Sequence, residues 1–456
     1  RYAAAAELAG AALATARALG YRPLIGEALL RSGLFGRAAG GPAADADAAL
    51  SEAWRVGLAT RADEVAVEAA VEQIAVVGRE LARPADAERW AADAEALLDR
   101  RGRADALAAR YHLNLGNMYV RTGRFDQAVA TLGRAVRLRE VALGAAHPDV
   151  AAARTALGEA LRRQGRFAEA AATHEQALRD TIAAFGDGHP QVAVARNNLG
   201  VAYGWLGRRA DAVAEYEAAI AVRERALGPD HLLVATSRSN LASELIELGR
   251  LAEAEAELRR AIDLLRRRYD RHPDLSDAEN NLGNLYFAQD RWADALAAYS
   301  GALANDAALL GEDAVDAAIT RNNVGTALWQ LGRLGDAERE LRRSLAALEA
   351  GLGRDHPHVA FPLLGLGAVL LDRGRAAEAV AVLGRATDLA EEQGAAVLAT
   401  ARAELAHARV RATQRPSPAA LALARRDVEA ALAELRRAGP LFGYARRRAE
   451  AFLRAP

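Results

Sequence analysis

An all-α fold, a right-handed solenoid of stacked antiparallel helix pairs, is predicted for this 456-residue chain by three observations. A Gly-Arg turn recurs in phase, small residues stand at fixed distances on both sides of it, and the apolar residues between turns follow helical spacing. The turns fall at Gly123, Gly165, Gly207, Gly249, Asp290, Gly332 and Gly374, in steps of 42, 42, 42, 41, 42 and 42 residues, and Arg follows each one. No stretch alternates as a strand does.

The elements follow in order. "RYAAAAELAGAALATARALG" has the apolar look of a secretory leader, but Glu7 interrupts it and no initiator Met precedes it. It reads as a helix, and the missing Met suggests a piece of a longer chain. Ala46 with Ala53, and Ala87 with Ala94, mark two degenerate units in 1–102.

Seven regular units follow in 103–393. Seven residues before each turn stands Gly116, Gly158, Gly200, Ala242, Gly283, Gly325 or Gly367. Five after it is always Ala, from Ala128 to Ala379, and seven further on Ala or Ser344. Small residues on facing surfaces let two helices approach closely, and glycine at the turn takes the left-handed conformation that ends a helix. One such hairpin cannot bury its apolar faces alone, so neighbours must stack. In 394–456, two helical segments flank "TQRPSPAA", and "FGYARRRAEAFLRAP" reads as a cap over the end of the array.

Composition excludes several chemistries. There is no Cys, hence no disulfide framework, zinc ribbon or thiol nucleophile. All 59 basic residues are Arg, and a Walker A loop, a protein-kinase β3 strand or a pyridoxal Schiff base each needs Lys. No nucleophile elbow, complete dinucleotide fingerprint or calcium loop appears. The chain is read as non-enzymatic and without cofactor. A formal charge of −1 with scattered Arg argues against nucleic acid or an anionic membrane as partner. No uncharged apolar run reaches the roughly 18 residues of a membrane span, and a cytoplasmic location is expected.

The order of small residue, turn, Ala and Ala resembles the tetratricopeptide repeat, with about eight residues added to its usual 34. The extra length falls at the hairpin's end, as in "AVRERALGPDHLLVATSRSNL". Leu-Gly, His-Pro and Asn-Asn-Leu in that order are similar to kinesin light chain repeats. Degenerate units before regular long ones also resemble the C-terminal region of large bacterial serine/threonine protein kinases, whose catalytic domain would lie outside this chain. The resemblance implies a scaffold that holds a peptide or helix of a partner protein in a concave groove, or the sensor arm of such a kinase. Oligomeric state is left open.

Two residues before the small position stand Asn114, Asn198, Asn240, Asn281 and Asn323, while the register fails at Ala156 and Gly365. The resemblance places this Asn on the concave face, where an amide suits a peptide backbone. The alternative is that these Asn bond neighbouring helices. The same face is expected to carry Arg110, Arg121, Arg162 and Arg163 early, Trp205 midway, and Phe287, Trp329 and Phe361 late. An acidic ligand with a large apolar anchor would match it, unless the late aromatics are simply core. His147, His189, His231, His272 and His356 recur once per repeat, roughly 10 Å or more apart, too far to share a metal. Four precede Pro and read as helix starts.

Overall fold

The structure, a computed structural model, describes residues 2–102 and 106–455. The expected boundary at 102/103 meets residues 103–105, outside the described residues. By packing, the chain divides into two units, Arg1–Arg208 and Arg209–Pro456.

The first unit holds α1 (Tyr2–Leu19), α2 (Arg22–Ala38), α3 (Ala43–Thr60), α4 (Asp63–Ala75), α5 (Pro84–Arg101), α6 (Ala106–Arg121), α7 (Phe125–Leu143), α8 (Pro148–Arg163), α9 (Phe167–Phe185) and α10 (Pro190–Trp205). The second holds α11 (Arg209–Leu227), α12 (Leu232–Glu247), α13 (Leu251–Arg268), α14 (Pro273–Ala288), α15 (Trp292–Leu310), α16 (Val315–Gln330), α17 (Leu334–Leu352), α18 (Ala360–Asp372), α19 (Ala376–Ala390), α20 (Ala395–Ala412), α21 (Pro418–Leu435) and α22 (Gly443–Arg454). No strand occurs among the described residues. Each unit is a stack of antiparallel helix pairs, as the repeat predicts.

The packing unit is a knob in a glycine hole. A Cβ added at Gly116 would strike Leu132, at Gly158 His174, at Gly283 Tyr299, at Gly325 Leu341 and at Gly367 Leu383. The missing side chain on the first helix of a pair thus makes room for a large one on the second, always sixteen residues on. The Ala positions on the second helices, from Ala128 and Ala135 to Ala379 and Ala386, are all buried to within 1%. Ser344 takes the place of one, and its hydroxyl donates to the Ala318 carbonyl at 2.6 Å. The degenerate units obey the same rule less strictly: Gly33 faces Leu50, and Ala46, Ala53, Ala87 and Ala94 are buried.

Six of the seven turn residues are glycines with φ between 73° and 82°, as a left-handed helix end requires. Asp290 is the exception and holds φ 60° without glycine's freedom.

The histidines have a local task. Nδ1 of His147, His189, His231, His272 and His356 accepts the backbone N–H two residues on, at 3.1 to 3.2 Å. Each satisfies one of the unpaired donors at a helix start. His231→Ala is expected to cost about 1 kcal/mol and to lower the unfolding midpoint, whereas His231→Asn, which keeps an acceptor, is expected to restore most of it. Among the described residues no group of His, Asp and Glu is arranged to hold a metal ion. No helix among them is long and apolar enough to cross a membrane.

Candidate functional site

The first helix of each pair carries the residues expected to line a groove. In the first unit the Arg side chains there are compensated. Arg110 lies 3.1 Å from both Glu68 and Glu72. Arg162 and Arg163 share Glu159, at 2.7 and 2.8 Å, and these contacts outweigh burial in holding the Glu159 carboxyl below its ordinary range. Arg121 is exposed. The surface is therefore less basic than its Arg content suggests. Trp205 is 59% exposed, stacked on Phe167 at 5.6 Å with the Arg162 guanidinium 5.7 Å from its ring centre. A large aromatic left open on a polar face is the kind of residue that anchors a partner.

The Asn series is half-buried and partly engaged within the stack. Asn114 Nδ2 donates to the Val71 carbonyl at 2.9 Å, Asn281 Nδ2 to Ser239 Oγ at 3.1 Å, and Asn323 Nδ2 to Asn280 Oδ1 at 2.9 Å. Each bond reaches the first helix of the preceding pair. Asn240 is engaged as well, while Asn198 makes no side-chain hydrogen bond among the described residues. An amide has two donor hydrogens and an acceptor oxygen, so a rung that holds its neighbour with one hydrogen retains a second for another group.

In the second unit the face is already covered. Phe287 and Trp329 are 7% and 6% exposed, and the residue over them is Tyr444, edge-on to both rings at 5.7 and 5.6 Å. Tyr444 opens α22, behind a tight turn at Pro440–Phe442 that packs on α14 and α12. Burial pushes the Tyr444 hydroxyl up to about 12. One turn on, Arg448 lies 2.7 Å from Glu404 and 3.1 Å from Asp372, with its guanidinium 5.1 Å from the Trp329 ring centre. Burial opposes its charge, but the two carboxylates outweigh that and hold it protonated. Trp329 Nε1 donates to Asp372 Oδ2 at 2.7 Å, tying ring and carboxylate together. Arg447 meets Asp290 at 2.7 Å.

The terminal segment packs on α20 and α21, as a cap does, but its leading turn crosses the first helices of the preceding pairs. That was not predicted. Asp290, Asp372, Glu404, Tyr444 and Arg448 were all missed, and one signal pointed to them: Asp290 alone breaks the glycine turns. The late aromatics, including Phe361, line a cavity of about 170 Å³ that Leu441, Phe442 and Tyr444 close from the other side.

The tetratricopeptide repeat family model matches residues 105–182, 191–267, 274–350 and 322–392, more than half of the chain. No curated protein matches significantly. Among solved structures, BtubC (BKLC) from P. vanneervenii is 22% identical, with TM-score 0.43 over 50% of this chain and 91% of that one. A putative kinesin light chain repeat protein from Podosopora anserina is 20% identical, with TM-score 0.39 over 45% and 98%. A Rap protein complexed with competence and sporulation factor is 15% identical, with TM-score 0.48 over 76% and 96%.

Proposed function

We propose a scaffold's role for this chain, which belongs to the tetratricopeptide repeat family: a non-catalytic cytoplasmic protein that holds a peptide or helix of a partner protein against the first helices of its pairs. The contacts in this reading are Asn114, Asn198, Arg110, Arg121, Arg162, Arg163 and Trp205 in the first unit. In the second they are Asn240, Asn281, Asn323, Phe287, Trp329 and Phe361. The observation that carries it is the Pro440–Arg448 segment, a turn and helix start lying across α14, α16, α18 and α20 through aromatic and ion-pair contacts. A surface that takes such a segment from its own chain has the shape and chemistry to take one from another.

The experiment compares capture from native lysate by the wild-type chain, by Asn198→Ala/Asn281→Ala/Asn323→Ala and by Trp205→Ala. A partner held by the wild type and lost from either variant, with helical content unchanged, is the expected result. Retention by both moves the function to the second helices. The degenerate pairs α2–α3 and α4–α5 ahead of the regular ones favour a second reading, the docking arm of a larger bacterial signalling kinase, which the adjoining coding sequence tests directly.

A further inference from the structure

The second unit's face departs from the repeat where the terminal segment lies on it. The turn that is glycine in six repeats is Asp290 in this one, left-handed at φ 60° and paired with Arg447. The Asn register fails at Gly365, which lines the cavity beneath Phe442 and Tyr444. Gly365 also receives Leu341 of the preceding pair, whereas Asp290 is paired directly with the segment Leu441-Phe-Gly-Tyr-Ala-Arg-Arg-Arg448.

The segment nevertheless fills its seat poorly. A pocket of about 170 Å³, partly open to solvent, remains between the segment and the helices. Asn322 Oδ1 is buried beside that space with no hydrogen-bond partner. The Arg447–Asp290 pair is half exposed on both sides, and an exposed pair of this kind holds weakly. The far end of α22 is held separately, by Phe452 and Leu453 packed on α20 and α21 and by the Ala455 carbonyl, which accepts from Arg425 at 2.7 Å, so the part that can leave the face is the leading turn.

We infer that this face recognises an aromatic–basic helical peptide of the form Leu-Phe-x-Tyr-x-x-Arg-Arg, and that the chain's own segment occupies it as a displaceable competitor. The inference rests on the scaffold reading and names the partner's chemistry. One aromatic side chain, that of Tyr444, meets both Phe287 and Trp329, Phe442 lines the cavity beside it, and the arginines meet the carboxylates of Asp290, Asp372 and Glu404. A partner with a bulkier side chain and a donor aimed at Asn322 fills the cavity that the chain's own segment leaves. That surplus is what overcomes the intramolecular advantage, because a tethered ligand acts at a high effective concentration.

The test uses the full chain and a fluorescent peptide of residues 439–455 supplied in trans, read by anisotropy. The wild-type chain is expected to bind it weakly, since its own segment holds the seat, and Tyr444→Ala/Arg448→Ala at least tenfold more tightly. Adding Asp372→Asn on the receiving face is expected to reverse that gain. If the double variant folds and binds no better than the wild type, the segment is a fixed part of the core and the inference fails. Should the double variant lose its helical signal, Arg448→Ala alone replaces it, since that side chain carries the pairs to Glu404 and Asp372, and an unchanged affinity there overturns the inference equally. No outside protein enters this assay. Its failure therefore leaves the lysate result standing, and loss of the lysate partner leaves the peptide affinity standing.

Discussion

Leu341→Ala is expected to destabilise the second unit by about 2–5 kcal/mol, the usual range for emptying a fully buried leucine site. Leu341 is 0% exposed and serves two holes at once. A Cβ on Gly325, in the first helix of its own pair, would stand 2.7 Å from it, and one on Gly365, in the next pair, 2.8 Å. The side chain therefore joins α17 to both α16 and α18. Removing it leaves two facing glycines with nothing between them, and helices already in close approach have little room to collapse further. The size of the loss depends on that relaxation. Because each pair in a stack is supported only by its neighbours, the damage is expected to concentrate at α16–α18. Hydrogen exchange should show amides there opening first, while those of α6–α9 keep their protection. Unfolding that stays at the wild-type midpoint, with uniform exchange, would refute the knob-and-hole account.

That account was legible in the sequence because a helix pair repeated in phase states its own rules. Gly325 and Ala337 could be assigned from their spacing alone, and the His-Pro pairs from proline's preference for a first helical turn. Contacts between repeats of different kinds leave no such trace. Arg447 and Asp290 are 157 residues apart, and Arg448 and Asp372 are 76 apart. No period links them, so the terminal helix read as an end cap. The charge of the face is smaller than a count of arginines gives, for a related reason. Arg110, Arg162 and Arg163 could be counted, but their neutralisation by Glu68, Glu72 and Glu159 depends on which side chains the helices bring together. In the second unit, where the sequence predicts only an apolar anchor, Asp290, Asp372 and Glu404 are the groups that meet the arginines of the segment. The Asn series shows the limit most plainly. Its register was readable, and whether each amide serves the stack, a ligand or both was not.

The remaining large effect is a dependence on pH set by one histidine in a knob position. His174 stands where other repeats have Leu132, Leu258, Leu341 and Leu383, packed against Gly158 and 3% exposed. Burial, with the nearby Arg162 cation adding to it and Glu159 opposing, lowers its pKa to about 4. An unfolded histidine titrates near 6.5. Below that pH the unfolded chain takes up a proton that the folded one refuses, so the proton favours unfolding. The stabilisation is complete above about pH 6.5, declines as pH falls, and levels off below about 4, at up to roughly 1.4 kcal/mol per pH unit, or about 3 kcal/mol in all. His112, also lowered to about 4 by burial and by Arg134 and Arg137, adds a loss of the same sign. His174→Leu separates the two. The variant should resemble the wild type at pH 7.5, keep about 3 kcal/mol more of its stability at pH 4, and retain only the slope that His112 supplies. Denaturant unfolding of the first unit at a series of pH values measures this. Parallel curves for wild type and variant would mean that His174 is already solvated in the folded chain, and that the hole at Gly158 is looser than the leucine-filled holes beside it.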